Sequence, residues 1–252
     1  MRSISLMFVG AVLAAAGTAN ASILYSASVQ TVSRFNPGLN ALGTATGPTQ
    51  QDQVFDDVPI ANPLNFPQVS ITRVTFGIRR VGAAPAVDIN FFATSLTTPT
   101  GTQTLSDALD FPFTSLGSAS LLAVTASVTQ LVVQDFTGSP ILMNLNNTIL
   151  SPTGGLGTLG IGLQFSGVNA ANAANGWRLT TPDVGSVNAN QLGWIYDTDL
   201  TNPKNAFSFG VPSATVPPTT FYIIVEGDLV PAPGAAALLG LGGLVAARRR
   251  RA

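Results

Sequence analysis

Histidine and cysteine are both absent from this 252-residue chain, and only 9% of its residues are charged. Without histidine there is no Ser-His-Asp triad, no imidazole general base and none of the common zinc sites. Without cysteine there is no thiol nucleophile and no disulfide, so a folded body must rest on its core alone. Carboxylate chemistry of the glycosidase kind survives this elimination, and it needs two acids about 5 to 9.5 Å apart. The chain has a single glutamate, Glu226, followed one strand period later by Asp228. The two would share a strand face, but they stand at the end of the last β-rich run, where acids commonly solvate a linker. No catalytic residue is assigned, no cofactor is expected, and the chain is read as non-enzymatic.

What is present begins with the two ends. Met1 and Arg2 form a small positive region, residues 4–16 are apolar, and Ala19-Asn20-Ala21 reads as a cleavage site. This is the layout of a signal peptide spanning residues 1–21, cut by signal peptidase between Ala21 and Ser22. At the other end, Val230, Pro231, Ala232, Pro233 and Gly234 precede an uncharged run over residues 235–247, and Arg248, Arg249, Arg250 and Arg251 follow it. Each proline fixes φ and removes a donor, which holds the segment extended and readable by an enzyme's cleft. As a helix, the 13 residues of the uncharged run would span roughly 20 Å at about 1.5 Å per residue. That falls short of a hydrocarbon core of roughly 30 Å. The arginines would stay on the cytoplasmic side, leaving the body outside.

This order of parts over residues 230–252 closely resembles the PEP-CTERM sorting signal of Gram-negative bacteria, with Ala232 standing where that family has glutamate. Membership implies recognition by an exosortase, a membrane-embedded cysteine transpeptidase-like enzyme, after transient insertion in the inner membrane. Delivery to the cell surface or to an extracellular matrix of exopolysaccharide would follow. A sortase signal would need an LPxTG pentapeptide, which the chain lacks. A GPI signal ends in its apolar tail without a basic run; an ordinary tail anchor is the remaining alternative.

Between the ends, residues 22–229 hold six basic residues (Arg34, Arg73, Arg79, Arg80, Arg178 and Lys204) against all twelve acidic ones, a net charge of −6. Such a body has no electrostatic footprint for nucleic acid. Its length suits one domain. Period-two alternation runs through Val74, Phe76 and Ile78, and through Val87, Ile89, Phe91 and Ala93, as two half-buried neighbours joined by a turn over residues 82–85. It recurs at Ile141, Met143 and Leu145, at Leu159, Ile161, Leu163 and Phe165, at Leu192, Trp194 and Tyr196, and at Phe221, Ile223 and Val225. Residues 25–35 and 121–136 add β-rich runs, and Gly/Pro/Asn clusters punctuate them all. The expectation is an all-β, antiparallel sandwich. Eight or more strands favour a jelly-roll, lectin-like arrangement over an immunoglobulin unit, followed by a C-terminal hydrophobic helix.

Candidate binding residues are few. Trp177, Trp194 and Tyr196 could stack on sugar rings, although aromatics at strand period in a sandwich are commonly core. Asp197 and Asp199, alternate oxygens after a strand, could converge on a structural calcium ion. Asp56-Asp57 is read as part of a loop, able to cap a turn or chelate calcium. Arg79 and Arg80 should point to opposite faces of a strand and act structurally, one of them guarding a sheet edge or pairing with an aspartate. The resulting expectation is an exported surface or matrix protein that works by adhesion or scaffolding. The alternatives are a carbohydrate-binding module for an exopolysaccharide and, behind it, a carboxylate glycosidase.

Overall fold

The computed structural model describes residues 22–35, 53–95, 113–145, 156–167, 169, 172, 174–181, 192–196, 203–208 and 220–231. Among them the regular elements are all strands: β1 (Ser22–Ala27), β2 (Val29–Phe35), β3 (Gln53–Ala61), β4 (Gln68–Arg80), β5 (Val87–Ser95), β6 (Thr114–Leu121), β7 (Val128–Asp135), β8 (Ile141–Asn144), β9 (Leu156–Ser166), β10 (Asn175–Thr181), β11 (Leu192–Tyr196), β12 (Pro203–Ser208), β13 (Thr220–Phe221) and β14 (Ile223–Val230). Every pairing among them is antiparallel. They make an eight-stranded sheet, β1-β14-β4-β10-β13 with β2, β7 and β8 attached, and a six-stranded sheet, β12-β11-β3-β9-β5-β6.

The two sheets pack face to face because each presents one apolar side. Val54, Val58 and Ile60 of β3, the alternate residues of β9, and Ile89, Phe91 and Ala93 of β5 meet Val74, Phe76 and Ile78 of β4 and Phe221, Ile223 and Val225 in one buried cluster. Phe76 and Phe91 bridge the sheets with ring centroids 4.3 Å apart. At about 25 cal/mol per Å² of apolar surface removed from water, this cluster is the main stabilising term.

One expectation from the sequence is corrected here. β4 and β5 are not hairpin neighbours: β4 belongs to the eight-stranded sheet and β5 to the six-stranded one. Both strands carry buried faces, and those faces are satisfied by opposing each other across the core, so residues 81–86 cross between sheets instead of turning within one. The β-rich run over residues 25–35 is divided between two strands. β1 pairs with β14 and β2 with β10, with the break at Ser28.

Each sheet also has an aromatic ring laid over a glycine on its outer face. On β4, a Cβ at Gly77 would meet the Tyr222 ring at 2.5 Å, and at Gly162 of β9 it would run into the ring of Phe55. Phe55 is fully buried there and packs on Phe113 at 4.7 Å. Tyr222 also marks where the last strand changes partner, from β10 to β4: its carbonyl accepts from Gly77 N at 3.1 Å, and its N–H donates to Arg178 O at 2.8 Å.

Candidate functional site

Strand alternation and register arrange the outer face of the eight-stranded sheet in rows. One row holds Glu226 of β14, Arg73 of β4 and Asp135 of β7, consecutive register partners. Arg73 reaches both acids, at 3.1 Å to Asp135 Oδ2 and 3.3 Å to Glu226 Oε2. The hydrogen bond to Asp135 and the charge of Glu226 raise the Arg73 guanidinium above its ordinary value. The Asp135 carboxyl is held down to about 2, first by the backbone N–H and hydroxyl of Thr137 and then by Arg73. The next rows are largely apolar, with Ile224, Thr75 and Val133, then Tyr222, Gly77 and Leu131. A basic row closes the face. Arg79 is the register partner of Thr129, and Arg178 of β10 donates from Nη1 to the Thr129 hydroxyl. Burial, and then the charge of Arg79, lower the Arg178 guanidinium.

Beneath one end of the sandwich lies Arg80, fully buried on the inner face of β4. Among the described residues its partners are all neutral: Asn175 Oδ1 at 2.9 Å, Gln130 Oε1 at 3.2 Å, Ala84 O at 3.2 Å, and the carbonyls of Leu122 and Pro85. The planar fork of a guanidinium suits this many-sided capture. It ties the crossing segment 81–86 to the segment after β6, which the Ala84–Val124 bridge also joins. Burial lowers the Arg80 guanidinium. The expectation that this side chain pairs with an aspartate or guards a sheet edge is therefore replaced by an internal clamp of dipoles.

Asp56 is corrected in the same way. It lies in β3, not in a loop, and is buried between the sheets. Its Oδ2 accepts from the Thr220 hydroxyl and from the backbone N–H of Phe221 at 3.1 Å. This carboxylate joins the six-stranded sheet to β13 and is spent on architecture. Its position inside an apolar strand pattern hid that role from the sequence. Strand alternation around Val54 and Val58 was the signal that could have found it.

Trp177 is fully buried in the core, stacked on Phe221 with centroids 4.1 Å apart, and its indole N–H donates to Tyr222 O at 3.2 Å. It is not an exposed stacking platform for a sugar, because a ring this large is worth more inside the core than at its rim. Trp194 and Tyr196 fall in β11, opposite Phe55 and Gln53 of β3. Asp197 and Asp199 lie outside the described residues. Among the described residues no group of three or more metal-ligating side chains gathers. Glu226 and Asp228 keep a strand spacing interrupted by a register shift at Gly227, and Glu226 is engaged by Arg73.

At the termini, Ser22 opens β1 and its hydroxyl donates to Gly227 O at 2.9 Å. Val230 closes β14 and Pro231 follows it. The signal-peptide residues Ala19 and Ala21 and the tail residues from Ala232 through Gly234 to Arg251 lie outside the described residues. No family model, no curated protein and no solved structure matches this chain.

Proposed function

We propose that this chain is an exported, non-enzymatic β-sandwich of jelly-roll type, sorted by an exosortase to the cell surface or extracellular matrix, where it serves in adhesion or scaffolding. The observation that carries this reading is the ordered tail: Pro231, Ala232 and Pro233, the uncharged run 235–247 and four arginines, placed directly behind Val230 at the end of β14. In this reading signal peptidase removes residues 1–21. Residues 235–247 form a short helix held transiently in the inner membrane, with the arginines on its cytoplasmic side. An adhesive or structural role is supported by how the charged groups are used. Asp56 and Arg80 stabilise the interior, while Arg73 pairs with both Asp135 and Glu226 on the sheet. This reading places the working part on the sandwich surface and not at a pair of acids in a cleft.

Replacing Pro231 and Pro233 with alanine in the native host is expected to leave uncleaved protein in the inner membrane, followed by fractionation and mass spectrometry of the C-terminus. Processing at the native position in that variant overturns the assignment.

A further inference from the structure

An uncovered sheet edge is a template for another strand, and proteins blunt such edges with bulges, shortness, proline or lysine. Most edge strands of this sandwich carry one of these devices. β1 has a register shift between Ile23 and Tyr25. β6 has one opposite Phe91 and Phe92, with Gly117 at φ +101°. β8 has four residues, and its Asn144 carbonyl is taken by the Ser95 hydroxyl at 3.0 Å. β12 opens with Pro203 and Lys204, and β2 has a register shift against β10.

β7 has none of them. It pairs with β4 residue for residue, from Asp135 on Arg73 to Val128 on Arg80, without a shift. Its sequence, VTQLVVQD, contains no proline, glycine or lysine and a single charge at its end. Leu131 and Val133 stand 54% and 51% exposed on its outward face, while Val132 between them is buried. Among the described residues, no strand pairs with the other edge of β7.

We propose that β7 pairs with β7 of a second copy of this chain, antiparallel about a two-fold axis at Val132, so that two eight-stranded sheets become one. A two-fold axis perpendicular to the sheet keeps every side chain on its own face, which restricts the registers to those pairing residues of like orientation. With the axis at Val132, Leu131 lies opposite Val133 of the second copy, an apolar pair made twice. Thr129 lies opposite Asp135 of the second copy, and Thr129 is the register partner of Arg79. The edge is therefore self-complementary: apolar at its centre, acidic at one end and flanked by arginine at the other. Arg79 Nε has no hydrogen-bond partner among the described residues, so the incoming carboxylate brings a negative charge near a guanidinium that no carboxylate there already holds. Shifting the axis to Leu131 would place Asp135 opposite Ser127, away from Arg79, and would lose this match. The pairing is independent of how the chain is exported.

Sedimentation velocity of the full chain in mild detergent is expected to show a dimer. Leu131→Lys with Val133→Lys places like charges opposite each other twice and should weaken association by about tenfold or more. Both side chains face solvent, so the thermal melting of the variant reports whether the fold is intact. Because the chain has no cysteine, Leu131→Cys with Val133→Cys should give a covalent dimer on oxidation. Directly opposed strand positions lie within disulfide reach. Leu142→Cys on β8, equally exposed but far from the axis, should not crosslink. A wild-type chain that sediments as a monomer, a dimer untouched by the two lysines, or a double-cysteine variant that fails to crosslink would each overturn the pairing.

Discussion

Arg73 and Arg80 lie on the same strand, an odd number of residues apart, and therefore on opposite faces of the eight-stranded sheet. Arg73, partly exposed, is matched by two carboxylates, Asp135 and Glu226. Arg80, fully buried, has no carboxylate partner among the described residues and is held by amide and carbonyl oxygens from four separate segments of chain. At the surface water already solvates both partners, so an ion pair there costs little to form and contributes little. In the interior each added charge would carry its own desolvation penalty. Carbonyl dipoles, which need partners in any case once buried, solvate the guanidinium without that second penalty. The same residue type is thus a surface neutraliser at one position and a cross-link between loops at the other.

The sharpest way to break this contrast is to remove the buried member. Arg80→Met keeps much of the side-chain volume but strands several buried acceptors, and a loss of roughly 3 kcal/mol of unfolding free energy is expected in urea titrations. Arg80→Lys, with the charge but without the planar fork, should fall between Arg80→Met and wild type. If the methionine variant is as stable as the wild type, the clamp is not what holds segment 81–86 in place. Arg73→Ala is expected to cost less than about 1 kcal/mol, and the difference should shrink further as salt is added. A larger, salt-insensitive loss would place Arg73 in the same class as Arg80.

The smallest effect is the most specific. The Asp135 carboxyl is lowered from 3.8 to about 2, with Thr137 the largest cause and Arg73 a lesser one. Because the folded-state value lies below the unfolded one, the contribution of this group is fully present above the ordinary carboxylate range and is lost as pH falls through about 2. An NMR titration of the Asp135 carboxyl should therefore find it still depressed in Arg73→Ala. A return to the ordinary value in that variant would assign the shift to the ion pair instead.

Much of the fold was legible in residue patterns. The alternations at Val74 to Ile78, Val87 to Ala93 and Leu159 to Phe165 are strands with those residues buried, because period-two burial follows from the pleat alone. The same reasoning placed Arg79 and Arg80 on opposite faces. Pairing was not legible. Nothing in the segment 81–86 distinguishes a hairpin turn from a crossing between sheets. Asp56 between Phe55 and Asp57 looked like a loop because its partners, Thr220 and Phe221, are more than 160 residues away. Trp177, preceded by Asn175 and Gly176, had a loop-like approach, and its burial depends on Phe76 and Phe221 meeting it from two other strands.

The sequence alone determined the class of the fold, because strand periodicity is local. By its lack of histidine and cysteine, it also removed whole families of chemistry, since a missing functional group cannot be supplied by any packing. Tertiary structure decided the use of each charge: Asp56 as a tie between sheets, Arg80 as a clamp under the loops, and Arg73 as a bridge between two acids. It also decided which edge was left regular and, among the described residues, unpaired. These depend on which strands become neighbours, and strand neighbours are set by burial of apolar faces over long sequence separations, a property of the whole chain and not of any segment within it.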